Sequence, residues 1–494
     1  MSFWQYLLNP EFIAFVFLGA VTGFFVGAIP GLSVTMATAL LVSVTYSWQT
    51  GHALAMIMGV YVVGVYSGAL SAILLNIPGT PASVVTTFDG HPLAKKGKAL
   101  LALRFAGVYS FVGSVFGFIA LWLLAKPISK IALQFTPMDY FLLAALGLLT
   151  AGVMSGKSYA KGLISVAAGL FLAMIGLDPV VGRPRFTFGI LELQAGISIV
   201  PVLIGLFGMA EVFHRISQGS QESQLLKIKK DTIHWREVWK HFGHSLYYSM
   251  IGTGIGALPG AGGPVASFFA YSQAKKIEKN LKTPLGEGAV EGIVASESAN
   301  NAVIGGALIP LLTLAIPGDA VTAIILSVFY IHGLQPGPLF LQSSPDMYLA
   351  ILAGGLLACV FLLVLSVFVS PYVTKILTFS GRALLPIVMV FCVIGSYAAS
   401  RRLFDVILML VFGIIGYWMK RNDYSIAGMT LALVLGGVMD SNFRRAVSLA
   451  LPEENMLSAL FGRPITLVLT IMIGITIAMA IRKKRSDKER KEPK

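Results

Sequence analysis

Long apolar runs alternate along the chain with short interruptions marked by glycine, proline or charge. The runs cover approximately 11–29, 33–49, 53–77, 106–125, 138–155, 160–177 and 187–212; after a polar stretch come roughly 245–258, 288–316, 320–341, 347–375, 383–400, 402–419, 424–440 and 456–481. A helix needs about 20 apolar residues to cross the hydrocarbon core, so the pattern predicts an all-α polytopic transmembrane bundle of about 10–12 spans. Several runs are too short to cross, and these are bounded by Pro-Gly, which predicts broken or re-entrant half-helices.

Composition narrows the class further. Of 494 residues 56% are hydrophobic and 12% charged, and the mean hydropathy is +0.79. A soluble domain carries about 25% charged residues, so an ordinary cytosolic enzyme is excluded. The longest polar interruption, His214–His244, is too short to bury a core of its own. The net charge of +14 is spread between the apolar runs and the end of the chain rather than gathered in one patch, so it reads as a topological signal. Arg482–Lys494 holds eight basic residues against three acidic ones, which by the positive-inside rule predicts a cytoplasmic C-terminus. The linker, with Arg215, Lys227, Lys229, Lys230, Arg236 and Lys240, is expected on the same side. No Lys or Arg precedes the first apolar run, which leaves the N-terminal side open and makes Met1–Ala20 a poor signal peptide. Cys359 and Cys392 lie within apolar runs and read as packing residues, with no disulfide or metal site implied.

Two words recur in the same order. Gly27-Ala-Ile-Pro-Gly31 is echoed by Gly256-Ala-Leu-Pro-Gly260, and Ser67 through Asn76-Ile-Pro-Gly79 by Gly305 through Ala315-Ile-Pro-Gly318. The offsets are 229 residues (Pro30 to Pro259) and 239 (Pro78 to Pro317), which points to a duplication: a first transmembrane repeat 1–213, a cytoplasmic basic linker 214–244, a second repeat 245–481 and a cytoplasmic tail 482–494. Paired Pro/Gly interruptions in repeated halves mark the substrate region of secondary transporters.

Each interruption is followed by residues suited to start a new helix: Ser33 after Pro30-Gly31, Thr80-Pro81 after Pro78-Gly79, Gly262-Gly263-Pro264 after Pro259-Gly260, and Asp319 after Pro317-Gly318. Broken backbone survives at membrane depth only where protein, water or ligand satisfies it, and helix N-termini favour anions. Four such ends predict a carboxylate site that needs no arginine. The alternative is a set of proline kinks in ordinary spans. Polar residues around the breaks are candidates because they are costly in lipid. For substrate binding these are Asn76, Pro78, Gly79, Thr80, Pro81, Ser83, Pro259, Gly260, Gly262, Gly263, Asn300, Asn301, Pro317 and Gly318; for cation coupling they are Ser33, Thr87, Asp89, Glu297, Thr313 and Asp319. Asp89 and Glu297 read either as proton carriers or as hydrogen-bonded structural acids, and Na⁺ and H⁺ both remain open as the coupling ion. Beyond that ion no cofactor and no tightly bound metal is expected. Gly152-Val-Met-Ser-Gly156-Lys157-Ser158 misses the P-loop spacing by one residue, and no His-Glu-x-x-His helix occurs. An anion channel and a polytopic membrane enzyme are the competing readings.

Gly27-Ala-Ile-Pro-Gly-Leu32, Gly68 through Asn76-Ile-Pro-Gly-Thr-Pro-Ala-Ser83 to Asp89-Gly-His-Pro-Leu-Ala94, Gly256-Ala-Leu-Pro-Gly-Ala-Gly-Gly263, Glu291 through Glu297-Ser-Ala-Asn-Asn301, and Ile316-Pro-Gly-Asp-Ala-Val-Thr322 through His332-Gly-Leu-Gln-Pro-Gly337 closely resemble the large membrane subunit of the tripartite tricarboxylate transporters. The likeness covers the length of the chain and weakens near Leu451-Pro-Glu-Glu, which follows the family-like Asp440-Ser-Asn-Phe-Arg444-Arg445. It implies a multi-pass carrier of the bacterial inner membrane. The carrier would take up a di- or tricarboxylate on a cation gradient, with a small membrane subunit and a periplasmic solute-binding protein as partners. By this resemblance the Pro-Gly pairs at 78–79 and 317–318 and the paired Asn300 and Asn301 are core binding elements.

Overall fold

A computed structural model of the chain describes residues 2–29, 32–154, 158–178, 182–218, 235–278, 281–373, 381–451, 458 and 461–489. The break expected at Pro30-Gly31, most of the basic linker and the last five residues lie outside these. The described residues are overwhelmingly helical, and their one sheet is a two-stranded antiparallel ribbon of Gly176–Leu177 and Pro184–Arg185. Among the described residues seven helical stretches are long and apolar enough for a full crossing, including Pro10–Ala28, Thr50–Leu75, Pro81–Ala132 and Pro345–Tyr372. The chain is thus an all-α polytopic membrane bundle. Other apolar runs yield shorter helices: 33–49 is helical over Val34–Val44, and 320–341 over Ala320–Ile331.

One run departs from the expected pattern. Residues 187–212 begin their regular helix only at Ile199, because Gly189 (φ +78°) and Gly196 (φ +83°) sit in the left-handed region and break the stretch between them. The ribbon before it is tied down by charge. Arg185 Nη2 pairs with Asp440 Oδ2 at 3.1 Å, and Arg444 reaches both Asp178 Oδ2 and Asp440 Oδ1 at 3.0 Å. The family-like segment at 440–445 therefore anchors the ribbon to the helix Ile426–Ala450.

Thr50–Leu75 and Val290–Leu314 are the two central helices, buried on every face. Thr50–Leu75 is apolar nearly all round, as an interior helix of a bundle is, whereas Val290–Leu314 buries a polar cluster from Ser296 to Asn301. Each is approached closely by the helix that carries the first word of the repeat. A Cβ at Gly23, on Pro10–Ala28, would stand 2.7 Å from the carbonyl of Val60; one at Gly256, on Phe242–Gly256, would stand 2.7 Å from that of Val303. Ala99–Ala132 crosses Val290–Leu314 in the same way, with Gly117 against Ala302. Small residues let membrane helices approach until backbones touch, where packing rather than water exclusion holds them together.

Both central helices stop alike. Thr50–Leu75 ends on Asn76 (φ 58°) and Val290–Leu314 on Ala315 (φ 58°), each left-handed, and each is followed by Pro-Gly and a new helical start. A left-handed residue ends a helix by turning the chain away from its axis. Asn tolerates this conformation and Ala does so at some cost.

Candidate functional site

The first restart is a short turn, Pro81–Ser83, leading into Val84–Leu93. Thr80 is its N-cap: Ser83 N–H donates to Thr80 Oγ1 at 3.3 Å, and Thr80 N–H donates to Ser83 Oγ at 3.1 Å. Asp319 does the same for Ala320–Ile331, accepting from Thr322 N–H at 2.8 Å while Asp319 N–H donates to Thr322 Oγ1 at 2.9 Å. Thr80 and Asp319 thus both serve as N-caps, as Ser33 does, and each uses its own side chain on its own helix end.

The third restart differs. Gly262–Ile277 has Ala261 as N-cap residue, and no side chain caps it. Gly260 (φ +78°) and Gly262 (φ +62°) are left-handed, and Gly260 N–H donates to the Gly318 carbonyl at 2.9 Å, so the two Pro-Gly breaks of the second half are joined. Pro264 sits at the third helical position rather than the first, still within the turn where a missing N–H leaves no bond unmade. Gly263 has no room for a side chain: a Cβ there would collide with Asn300 Oδ1 and stand 3.1 Å from the Ala82 methyl. The uncapped helix end, the Thr80–Ser83 turn and Asn300 therefore meet at one place. Asn300 is 3% exposed and its Nδ2 has no hydrogen-bond partner. An unsatisfied buried amide costs about 1–3 kcal/mol, which a ligand oxygen would recover. Of the other residues around the break at Pro78-Gly79, Asn76 and Pro81 are exposed and Pro78 is half-buried.

Asp319 stands next to this place, its Cβ 3.5 Å from the position a Gly262 Cβ would take, and Tyr61 donates to its Oδ2 at 2.6 Å. Tyr61 was not foreseen. It is one of four hydroxyls in the apolar run 53–77, beside Tyr66, Ser67 and Ser71, and only the fold shows that it spans the two halves of the chain.

A second group surrounds Glu297, which is fully buried. Thr86 Oγ1 donates to Oε1, Ser110 Oγ donates to Oε2 at 2.9 Å, and Asn301 Nδ2 reaches Oε2 at 3.3 Å. Asn300 and Asn301, expected to act as a pair, part company because neighbours on a helix point about 100° apart. Asn300 faces Gly263; Asn301 faces Glu297 and Ser110.

The other candidates for cation coupling do not join Glu297. Asp89 is fully buried, and its Oδ1 accepts from the backbone N–H of Gly286, Gly288 and Ala289 at 2.8, 2.9 and 2.8 Å while its Oδ2 accepts from Tyr271 at 2.7 Å. Thr87 donates to the Val84 carbonyl, Thr313 to that of Ile309, and Ser33 caps Val34–Val44. Gly79 packs against the Gly68 backbone, its N–H donating to that carbonyl at 3.2 Å; Pro259 accepts a hydrogen bond from Thr150; and Pro317 and Gly318 are buried beneath the Asp319 cap.

A family model described as the tripartite tricarboxylate transporter TctA family matches residues 13–431. The chain belongs to this family. Among curated relatives, an uncharacterised 52.8 kDa protein of the TAR-I ttuC' 3' region of Agrobacterium vitis is 35% identical over 89% of this chain and 88% of its own length. A second uncharacterised protein, of the TAR-II ttuC' 3' region of the same organism, is 38% identical over 40% of this chain and 81% of its own. No solved structure matches. The TctA match, together with the apolar helices, makes this chain a multi-pass membrane component of a tricarboxylate transport system.

Proposed function

We propose that the chain is the subunit through which a di- or tricarboxylate crosses the bacterial inner membrane, by secondary-active symport with a cation. The substrate is handed over by a periplasmic solute-binding protein, and a small membrane subunit completes the transporter. One observation carries the reading: the helix end at Gly262–Gly263 is the one described restart without a side-chain cap, and the free Nδ2 of buried Asn300 stands beside it. Amide N–H groups at a helix start, with a partial positive charge behind them, bind a carboxylate oxygen, and Asn300 adds a donor for a second. Ala82, in the turn Pro81–Ser83, stands against the same helix end.

The matched geometry of the two halves supports a duplicated architecture. Gly23 meets Val60 as Gly256 meets Val303, and both central helices end in a left-handed residue before Pro-Gly. Cytoplasmic placement of the linker fits the contact of Tyr109 with the Val238 carbonyl, toward the end of Ala99–Ala132 that begins after Lys95, Lys96 and Lys98.

The test is uptake of labelled citrate and other di- and tricarboxylates into proteoliposomes holding this chain with its small subunit, with and without the binding protein and an ion gradient. Accumulation that needs both supports the proposal. Equilibration without a gradient indicates a channel, and product formation without accumulation indicates an enzyme.

A further inference from the structure

We infer that the ion coupled to carboxylate uptake is the proton and that Glu297 carries it. This rests on the transport reading above and deepens it. Glu297 lies in the buried middle of Val290–Leu314, and no cationic side chain pairs with it among the described residues. An ionisable group held inside a membrane protein without a counter-charge is a functional group by default.

The hydrogen bonds around it suit both forms of an acid. Asn301 Nδ2 donates to Ser110 Oγ at 2.9 Å, which leaves the Ser110 proton for Glu297 Oε2. Thr86 Oγ1 touches Glu297 Oε1 and lies 3.3 Å from Ser296 Oγ. Its hydroxyl has two settings. It donates to the ionised carboxylate, or it turns to Ser296 and accepts the proton of the neutral acid. No backbone has to move. A hard metal ion instead asks for about six oxygens converging on an open position. Among the described residues the carboxylate oxygens are met by hydrogen-bond donors, the hydroxyls of Thr86 and Ser110 and the amide of Asn301, and Asn301 Oδ1 is a buried oxygen without a partner.

The other titratable groups on the packed elements are turned elsewhere or stand off. Tyr66 on Thr50–Leu75 lies within electrostatic reach of both Glu297 and Arg104 of Ala99–Ala132. On Val84–Leu93, Asp89 faces the 286–289 amides and His91 the Ile73 carbonyl. Tyr271 of Gly262–Ile277 is bound to Asp89, and on Phe242–Gly256 it is Ser245 that meets Ser298.

The same two segments build both sites. Ser83 and Asn300 stand at the substrate end; Thr86 and Glu297 stand one helical turn away on the same backbones. Anion binding at Gly262–Gly263 and proton binding at Glu297 therefore reinforce each other, which is the coupling a symporter requires.

The experiment uses proteoliposomes with the complete transporter and labelled citrate. The wild type is expected to accumulate citrate on a proton gradient in sodium-free buffer, with no further gain from a Na⁺ gradient. In Glu297→Gln the ratio of proton-driven accumulation to citrate counterflow should fall at least about tenfold. Thr86→Val, which keeps the acid but removes the turning hydroxyl, should displace the pH of half-maximal uptake; a role confined to packing would leave that midpoint in place. A wild type driven by Na⁺ and indifferent to the proton gradient overturns the inference, as does a Glu297→Gln ratio equal to that of wild type. If the wild type shows neither accumulation nor counterflow, the transport reading itself falls, and the inference with it.

Discussion

Tyr61, in the middle of one central helix, donates its phenolic proton to Asp319, the N-cap of Ala320–Ile331, at 2.6 Å. The bond joins a buried span of the first half to a break in the second, so the cap that starts one half-helix is held by the scaffold of the other. A hydrogen bond to a charged acceptor contributes about 1.5–3 kcal/mol. Tyr61→Phe keeps the ring and removes only this bond. Its thermal unfolding midpoint should fall by several degrees, and citrate affinity should weaken modestly, because Asp319 adjoins Gly262. Identical melting and uptake in the variant would show the contact to be idle.

Asn300 is placed to test the substrate site. Asn300→Asp exchanges a free donor for a negative charge beside the uncapped helix end and should abolish citrate binding, whereas Asn300→Ala should weaken it by about tenfold, the loss of one charge-assisted bond. Thermal shift with added citrate reads both. Binding unaltered in Asn300→Asp would place the carboxylate elsewhere.

Gly23 and Gly256 serve packing rather than binding, and the distinction is measurable. A methyl at either position stands 2.7 Å from a backbone carbonyl that cannot move aside on its own. Overpacking of this kind costs about 1–3 kcal/mol. Gly23→Ala and Gly256→Ala should each lower the yield of folded protein in detergent and its melting temperature, with citrate affinity in the surviving fraction little changed. Gly263→Ala should show the reverse emphasis, since its methyl meets Asn300 and Ala82. Equal effects of all three on binding would remove the distinction.

The helix breaks were legible because their cause is local: Pro-Gly stops a helix, and Thr80 or Asp319 restarts one, whatever surrounds them. Membrane class and the apolar spans were legible for the same reason. Contacts between distant segments were not. Nothing beside Tyr61 in the chain announces Asp319, and Ser110 gives no local sign that it will meet Glu297. Adjacency in sequence likewise hides that the side chains of Asn300 and Asn301 face different neighbours. Asn76, a candidate for substrate binding, also makes the left-handed turn for which Asn is a common choice.

Asp89 was expected in cation coupling, and its surroundings support a different expectation. Its carboxylate accepts three backbone N–H groups from 286–289 and the Tyr271 hydroxyl, so both oxygens are engaged in holding the segment that leads into Val290–Leu314. A coupling ion would have to displace several of these bonds at once. Asp89→Asn keeps the shape but halves the acceptors, turning an amide toward donors that are already pointed inward. Leaving such groups unpaired costs about 1–3 kcal/mol each. The variant should therefore be cut faster by protease at 281–289 and should melt earlier, while the ion dependence of its remaining uptake matches the wild type. A changed ion dependence with protease resistance intact would return Asp89 to the coupling machinery and would require the 286–289 segment to move during transport.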